Sequence, residues 1–182
     1  GALDNNYAFS YVNGTLSVTK ATLTAKATDT NRAYGDTNPA LGVTYTGFKN
    51  GETASVIDVQ ASAATTANAA SDVGTYNILT SGASDNNYNF TYSNGTLTVD
   101  KAVLAVTAGN GSRLYGDSNP AFSVTYSGFK NGQNDSVIDT RATAASAANA
   151  LSDVGNYATT ASGASDNNYT FNYVDGVLQI NK

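Results

Sequence analysis

Apolar and polar residues alternate along much of this chain, which is the pattern of half-buried β-strands. In residues 23–27, Leu and Ala alternate with Thr and Lys, and in residues 41–46, Leu, Val and Tyr alternate with Gly and Thr. Residues 88–92 carry Tyr, Phe and Tyr at every second position. Each stretch places its larger side chains on one face of a pleated strand. The pattern therefore predicts β-strands and no long helix.

The pair Asn94-Gly95 separates two alternating stretches and predicts a β-hairpin with a two-residue turn. In that register Tyr92 faces Leu97 and Phe90 faces Val99, so the large apolar side chains share one face. The same register recurs twice more: it pairs Tyr173 with Leu178 and Phe171 with Ile180 around Asp175-Gly176, and Tyr11 with Leu16 and Phe9 with Val18 around Asn13-Gly14. Three hairpins are therefore predicted.

The residues between these stretches predict shorter elements. Residues 52–58 have the length of one or two helical turns, which would bury Val56 and Ile57. We expect a strand of small residues and a loop in residues 59–70, and another strand that begins near residues 72–76. The total for residues 21–101 is therefore about six short strands and at most one short helix.

The whole pattern repeats at a step of 81 residues, without insertion or deletion. Residues 21–101 and 102–182 are equivalent units, and residues 1–20 match the last twenty residues of each unit. A fixed period of this kind indicates an array of like domains. We therefore predict the C-terminal hairpin of a preceding repeat in residues 1–20, and β-rich repeats in residues 21–101 and 102–182.

Each unit is long enough to hold a core of its own. The strand pattern predicts a mostly β fold, either an immunoglobulin-like sandwich or a β-grasp-like sheet with at most one short helix per repeat. Asp100 and Lys101 lead directly from the last strand of one unit into the next, without a Gly, Ser or Pro linker. Because such a join allows little freedom, we expect the units to lie end to end as a stiff pair.

Composition excludes several classes of function. The chain has no His, Cys, Met or Trp, so it lacks imidazole bases, thiolates, disulfides and the usual zinc and haem ligands. Its net charge is −5 and its nine Lys and Arg residues are scattered, so we expect no nucleic-acid partner. No apolar run reaches the roughly 18 residues of a membrane helix, so we expect no membrane insertion of this stretch.

No arrangement of residues predicts a catalytic site, and we expect no enzyme. Glu52 is the only Glu, and Gln133 replaces it in the second unit, so a paired-carboxylate hydrolase would be limited to one unit. The Ser residues have no His to activate them. Residues 109–112 resemble a phosphate-binding loop only faintly, because the spacing is wrong and the first unit lacks these glycines.

Several recurring polar residues leave two interpretations open. Asp85-Asn86-Asn87, which recurs at residues 4–6 and 166–168, suits either a Ca²⁺ ion or an Asx turn before a strand. Lys49 and Lys130 are equivalent lysines that an isopeptide bond to Asn or Asp would use. We expect the Asx turn, and no resident metal or cofactor.

The tyrosines also allow two interpretations. Five occupy equivalent positions in each unit, and stacked aromatic rings can hold sugars. Because the alternation places most of them on the buried face, we assign most of them to core packing. Tyr34-Gly35-Asp36 and Tyr115-Gly116-Asp117 are either ligand sites or, as we expect, Tyr packed over a Gly turn with Asp capping the loop.

The order of motifs in each unit resembles a known group of bacterial repeats. In the first unit the motifs are Tyr-Gly-Asp-x-Asn-Pro from Tyr34, Gly-Phe-x-Asn-Gly from Gly47, Val-Gly-x-Tyr from Val73, and Asn-Tyr-x-Phe-x-Tyr-x-Asn-Gly-x-Leu from Asn87. This order is similar to the MBG/YDG-type repeats of filamentous-haemagglutinin-like proteins and other large surface adhesins. The resemblance covers residues 21–182 and implies an extracellular, surface-bound or secreted module. It carries over no catalytic or binding residue.

Two functions follow from this resemblance as expectations. In the first, the repeats are a non-catalytic stalk or spacer that projects a binding region from a bacterial surface. In the second, the repeats themselves bind glycans or host proteins through many weak contacts along the array. The partner would be an unknown surface receptor or glycan, beside the neighbouring repeats of the same chain.

Overall fold

Each unit contains seven strands and one turn of 3-10 helix in the computed structural model, which describes residues 1–182. The first unit has β1 (Ala21–Ala27), β2 (Thr30–Ala33), β3 (Val43–Thr46), a 3-10 turn (Ala54–Val56), β4 (Ser62–Ala64), β5 (Gly74–Ser81), β6 (Tyr88–Ser93) and β7 (Gly95–Asp100). The second has β8 (Ala102–Ala108), β9 (Gly111–Leu114), β10 (Val124–Ser127), a 3-10 turn (Asp135–Val137), β11 (Thr143–Ala145), β12 (Gly155–Ser162), β13 (Tyr169–Val174) and β14 (Gly176–Asn181). The predicted mostly β tandem repeat is confirmed.

The strands of one unit form two small sheets that curl into half-barrels. In the first unit the strand orders are β3-β1-β6 and β2-β7-β5-β4, and the second unit repeats both orders. The pairs β1–β6 and β2–β7 are parallel, and the remaining pairs are antiparallel. The first and last segments of the unit thus lie side by side in both sheets.

The two segments are residues 21–33 and residues 88–100, and they pair with the same register in both sheets. Ala21 lies beside Tyr88 and Thr30 lies beside Leu97, so partners are 67 positions apart in each sheet. At the bend between the sheets, the backbone N–H of Thr96 donates to Asp29 Oδ1 at 2.7 Å. Taken through both sheets, these two parallel segments lie at the centre, with antiparallel strands on either side. This arrangement matches the β-grasp-like alternative, because an immunoglobulin sandwich is built from antiparallel sheets.

The hairpin predicted at Asn94-Gly95 is wrong. Strand β6 pairs with β1, while β7 pairs with β2 and β5, so Tyr92 does not face Leu97 and Phe90 does not face Val99. Neither Asn94 nor Gly95 has the positive φ that a two-residue hairpin turn requires. The chain instead passes from one sheet into the other, and the same holds at Asp175-Gly176.

Gly95 is needed for a close backbone approach rather than for a turn. A Cβ atom at Gly95 would lie 2.6 Å from the carbonyl oxygen of Ala27, at the bend of the parallel pair. Gly95→Ala is therefore expected to destabilise the fold by about 2–3 kcal/mol, because two central strands must separate. Denaturation with urea measures this loss, and Gly14→Ala, where the space is open, is the control. Equal stabilities of the two variants would contradict the explanation.

The hairpin predicted for residues 1–20 is also absent. These residues form no strand, and Tyr11, Leu16 and Val18 are exposed. The physical reason is the strand pairing of the complete units, where the equivalent segments pair with β1, β2 and β5 and not with each other. Residues 1–20 have no such partner strands in the structure.

Other predictions differ from the structure in detail. The helical region in residues 52–58 is a single 3-10 turn that buries Ile57 and leaves Val56 40% exposed. Strand β4 lies inside the predicted small-residue region. Strand β2 was not predicted, because its sequence Thr-Asn-Arg-Ala shows no alternation of apolar residues. The join between units is confirmed as short, since only Lys101 separates β7 from β8.

Candidate functional site: the junction between the units

The junction is built around Tyr34, the first residue of the Tyr-Gly-Asp motif. Tyr34 is 3% exposed, and its ring meets the ring of Tyr169 in the second unit edge to face, with centroids 5.5 Å apart. Both tyrosines belong to one buried cluster that crosses the junction. The other members are Val99 of the first unit and Ala102, Leu104 and Ile138 of the second. The two units therefore share a hydrophobic core at their boundary.

Polar contacts surround this shared core. Lys130 Nζ lies 2.9 Å from Asp36 Oδ1, and Gln133 Nε2 donates to the hydroxyl of Tyr34 at 3.0 Å. Asn131 Nδ2 donates to the carbonyl oxygen of Ala69 at 3.2 Å. Every one of these contacts joins the first unit to the second.

Asn168 makes a further pair of contacts across the boundary. Its Oδ1 accepts from the backbone N–H of Val73, and its Nδ2 donates to Asp72 Oδ1, both at 2.9 Å. Because the amide uses both its donor and its acceptor, these two bonds add to the contacts around Tyr34 that hold one unit against the other. The junction is therefore a specific interface and not a flexible tether.

Gly35 is part of the same interface. It has a positive φ of 81°, and a Cβ atom there would overlap the side chain of Lys130. Gly116, the equivalent residue of the second unit, also has positive φ but has nothing within 4 Å. The glycine of the motif thus permits both the loop conformation and the contact with the next unit.

We call the two interacting surfaces the C-terminal face and the N-terminal face. The C-terminal face of the first unit comprises Tyr34, Asp36, Ala69, Asp72 and Val73, and the N-terminal face of the second comprises Lys130, Asn131, Gln133, Asn168 and Tyr169. The sequence analysis singled out the Tyr-Gly-Asp and Asp-Asn-Asn motifs, which supply some of these residues. The alternation of apolar and polar residues did not indicate that the two motifs meet. These contacts join residues that lie between 62 positions (Ala69 and Asn131) and 135 positions (Tyr34 and Tyr169) apart in the sequence.

Tyr34 of the Tyr34-Gly35-Asp36 motif is buried, but its ring packs on Tyr169 of the second unit, and the Asp36 carboxylate pairs with Lys130 across the junction and does not cap the loop. Tyr115 of the second motif has no contact like that between Tyr34 and Tyr169 in the structure and is 54% exposed. Among the other tyrosines, Tyr88 and Tyr169 are buried, while Tyr92 is 43% exposed. Core packing therefore explains the positions of only some of the tyrosines.

Glu52 and its equivalent Gln133 each accept a hydrogen bond from a tyrosine. The hydroxyl of Tyr88 donates to Glu52 Oε2 at 2.5 Å, and the hydroxyl of Tyr169 donates to Gln133 Oε1 at 2.6 Å. Each residue thus holds the equivalent tyrosine of its own unit. No second carboxylate is hydrogen-bonded to Glu52.

The Asp-Asn-Asn clusters form Asx turns, which was the expected alternative. Asp85 Oδ1 accepts from the backbone N–H groups of Asn87 at 2.6 Å and Tyr88 at 3.1 Å. Asp166 makes the same pair of bonds at 2.7 and 3.0 Å. No group of three or more His, Cys, Asp or Glu side chains comes together in the structure.

Two buried arginines were missed by the sequence analysis. Arg32 is 7% exposed and donates to Asn38 Oδ1 at 2.7 Å, to the carbonyl oxygen of Ala33 at 3.0 Å and to that of Asn68. Arg113 repeats this arrangement in the second unit. Their recurrence at equivalent positions in a chain with few charges was the available signal. Each arginine ties the loop behind the Tyr-Gly-Asp motif to the rest of its unit.

Alkaline pH is expected to weaken the fold through the two buried tyrosines. The hydrogen bond to Glu52 raises the pKa of Tyr88, and burial raises the pKa of Tyr169. A raised pKa means that the folded state holds the proton more tightly, so this stabilisation is complete below about pH 10 and is lost as pH rises further. Urea denaturation at increasing pH, with tyrosinate absorbance in parallel, measures the loss.

The control for this prediction is the double variant Tyr88→Phe/Tyr169→Phe. Its stability is expected to fall less steeply above about pH 10, because two phenols with raised pKa are gone. The same slope in the variant and the original protein would contradict the assignment.

An open groove also lies in the second unit, between β10 and β11. It has a volume of about 450 Å³ and is lined in part by Phe122, Tyr126, Asp135 and Arg141. Arg141 and Asp135 form an exposed ion pair at 3.4 Å. In the first unit, Gln60 and Ala54 replace these two charged residues. The charges of the groove are therefore not shared by the two units.

The sequence profile of a family described as MBG domain (YGX type) matches residues 23–98 and again residues 104–179. The two matches cover most of the chain and indicate a repeat module of a surface protein. A search of curated proteins found no match. None of the helical segments has the length and apolar character needed to cross a membrane.

Proposed function

Because the chain belongs to the family of YGX-type MBG domains, we propose that it is a non-catalytic extracellular module of a large bacterial surface adhesin. In this role the repeats act as a stiff stalk that holds a binding region away from the cell. The observation that supports the proposal best is the junction, where two units joined by one residue share the buried Tyr34–Tyr169 contact. A flexible tether would instead contain a longer stretch of exposed small residues.

The composition of the chain also supports this role. With no His or Cys and a net charge of −5, the chain offers few groups for catalysis or for binding nucleic acid. We expect no enzyme activity, no cofactor and no nucleic-acid partner. The receptor or glycan of the adhesin would bind elsewhere in the parent protein.

Solution scattering tests the stiffness of the pair. A single unit is expected to have a radius of gyration of about 12 Å, one globule of the whole chain about 16 Å, and a rigid linear pair more than about 20 Å. A variant with a flexible Gly-Ser insertion after Lys101 is the control, and its scattering should indicate a broader range of shapes. A radius near that of one globule, or a profile unchanged by the insertion, would contradict the proposal.

The location is tested separately. Antibodies against this chain should label intact bacteria that carry the protein, without permeabilisation of the cells. Labelling that requires permeabilised cells would contradict an extracellular stalk, whatever the stiffness of the pair.

The alternative is that the repeats themselves bind glycans or host proteins. The groove beside Tyr126 and Arg141 favours this function, because it combines an aromatic ring with an exposed cation. A glycan array probed with the intact chain tests it. Arg141→Ala should remove saturable binding, while Lys26→Ala, which changes an exposed lysine far along the sequence, should not. No saturable binding by the original chain would count against this alternative.

A further inference from the structure

The sequence pair Asn-Gly occurs five times in the chain, in surroundings that differ widely. Asparagine amides are chemically labile. A following glycine favours their breakdown, because it has no side chain to hinder attack of its backbone nitrogen on the amide, and its backbone is conformationally permissive. The pairs are Asn13-Gly14, Asn50-Gly51, Asn94-Gly95, Asn110-Gly111 and Asn131-Gly132.

Neighbouring strands hold two of these pairs, Asn94-Gly95 and Asn110-Gly111, in place. Their glycines are the first residues of β7 and β9. A Cβ atom would lie 2.6 Å from the carbonyl oxygen of Ala27 at the first glycine and 2.9 Å from the ring of Phe122 at the second. Asn110 Oδ1 also accepts from the backbone N–H of Val177 at 2.7 Å. Reaction at either pair therefore requires a strand to open first.

The pair Asn131-Gly132 lies instead in an exposed turn. The backbone N–H of Gln133 donates to the carbonyl oxygen of Lys130 at 3.0 Å and closes this turn. Asn131 has a positive φ of 54°, and a Cβ atom at Gly132 would meet nothing within 4 Å. The N–H of Gly132 makes no backbone hydrogen bond. Its nitrogen can therefore approach the Asn131 amide without any loss of strand pairing.

The first unit contains the same turn at Asn50-Gly51, but the two turns differ in their contacts. Asn50 has a φ of 55°, and Gly51 also has open space around it. Asn131 Nδ2 donates to the carbonyl oxygen of Ala69 across the junction at 3.2 Å, whereas Asn50 makes no such hydrogen bond in the structure. The two pairs are thus alike in local conformation and unlike in what depends on the amide.

We propose that Asn131-Gly132 is a self-modification site whose reaction weakens the junction as the molecule ages. The backbone nitrogen of Gly132 attacks Cγ of Asn131 and forms a C–N bond. The bond from Cγ to Nδ2 breaks, and the proton of the Gly132 N–H ends on the ammonia that leaves. Water then opens the resulting cyclic imide at one of its two carbonyl carbons. The products are aspartate and isoaspartate, and the only co-reactant is water.

Both products remove the contact that Asn131 makes with the first unit. An ionised carboxylate is an acceptor only, so it cannot donate to the carbonyl oxygen of Ala69, and it places a negative charge there. Isoaspartate also lengthens the main chain of the turn that holds Lys130 against Asp36. Modification of Asn50 has no equivalent contact to remove.

Peptide mapping by mass spectrometry of the full chain, incubated in mildly alkaline buffer, tests the site. We expect the small mass increase of an amide converted to an acid at Asn50 and Asn131. Modification of Asn94 and Asn110 should be at least about tenfold slower, because strand opening limits it. Asn13, in a stretch without strands, provides the reference rate. Modification of Asn131 as slow as that of Asn94 would overturn the proposal.

A matched pair of variants tests the effect on the junction. Asn131→Asp, which reproduces one product, should lower the equilibrium constant of folding by about fivefold, the effect of one typical hydrogen bond. Asn50→Asp is the control and should change it by no more than about twofold. Aspartate tolerates a positive φ much as asparagine does, so the turn itself is kept in both. Urea denaturation gives the two constants, and equal effects would rule the proposal out.

The variant Asn131→Gln connects the modification with the loss of stability. Glutamine keeps an amide at this position, but its longer side chain has to close a larger and less favourable ring. The urea midpoint of each protein is measured before and after the incubation, so each protein is its own reference. We expect the original chain to lose stability in step with modification of Asn131, and the variant to lose less. An equal loss in both, or no loss in a modified original chain, would contradict the proposal.

Discussion

Replacing Tyr34 with alanine is expected to destabilise the protein by about 3–5 kcal/mol, the range seen when a large aromatic side chain is removed from a core. The equivalent change Tyr115→Ala is expected to cost less than about 1 kcal/mol, as exposed positions usually do. The two residues have the same local motif but differ in exposure, 3% against 54%. The difference between the two losses in the free energy of unfolding therefore gives the contribution of the junction, without that of the loop.

Urea denaturation followed by tyrosine fluorescence measures both variants. Tyr34→Ala removes the ring that packs on Tyr169 and leaves Gln133 Nε2 without its acceptor. We also expect the two units of this variant to unfold in separate transitions, because the shared cluster is broken. Equal losses in Tyr34→Ala and Tyr115→Ala would mean that the junction contributes no more than the motif does inside one unit.

The second large effect is expected at the buried arginines. Arg113→Met should destabilise the second unit by about 2–4 kcal/mol, because it leaves the acceptors Asn119 Oδ1 and the carbonyl oxygens of Leu114 and Asn149 without their donor. Methionine keeps much of the side-chain volume, so the loss reports the hydrogen bonds rather than a cavity. Arg113→Lys should recover only part of it, since an ammonium lacks the planar fork of a guanidinium.

The chain provides its own control for this measurement. Arg141 is exposed, with 58% of its side chain accessible, so Arg141→Met is expected to change stability by no more than about 0.5 kcal/mol. Arg32→Met should reproduce the effect of Arg113→Met in the first unit, because its three hydrogen bonds are equivalent. A loss at Arg113 no larger than that at Arg141 would contradict the structural role.

Local patterns predicted the strands well and their partners badly. Alternation located β1, β3 and β6 because one face of each is buried, and that information is local. The pair Asn94-Gly95 was misinterpreted because a close approach to Ala27 and a hairpin turn both select glycine. Only the long-range pairing of β6 with β1 distinguishes the two causes.

The same limit applies to the junction. The sequence showed that Tyr34 and Asp36 recur as Tyr115 and Asp117, and that only Asp100 and Lys101 lead from the last strand of one unit into the first strand of the next. It contained no signal that Asp36 contacts Lys130, because the contact joins loops of different units. The recurrence of Arg32 as Arg113 was a signal of a structural role, but it did not indicate burial, since the partners of Arg32 are backbone carbonyls and an amide rather than carboxylates.

The common register of the central segments determines how the molecule responds to tension. Residues 21–33 and 88–100 run in the same direction, and the chain enters the first unit at the start of one and leaves at the end of the other. A pull on the two ends therefore slides these segments past each other, and their hydrogen bonds are loaded together rather than one after another. Rupture under load depends on the rate of unfolding, and this geometry favours a high mechanical threshold in every unit.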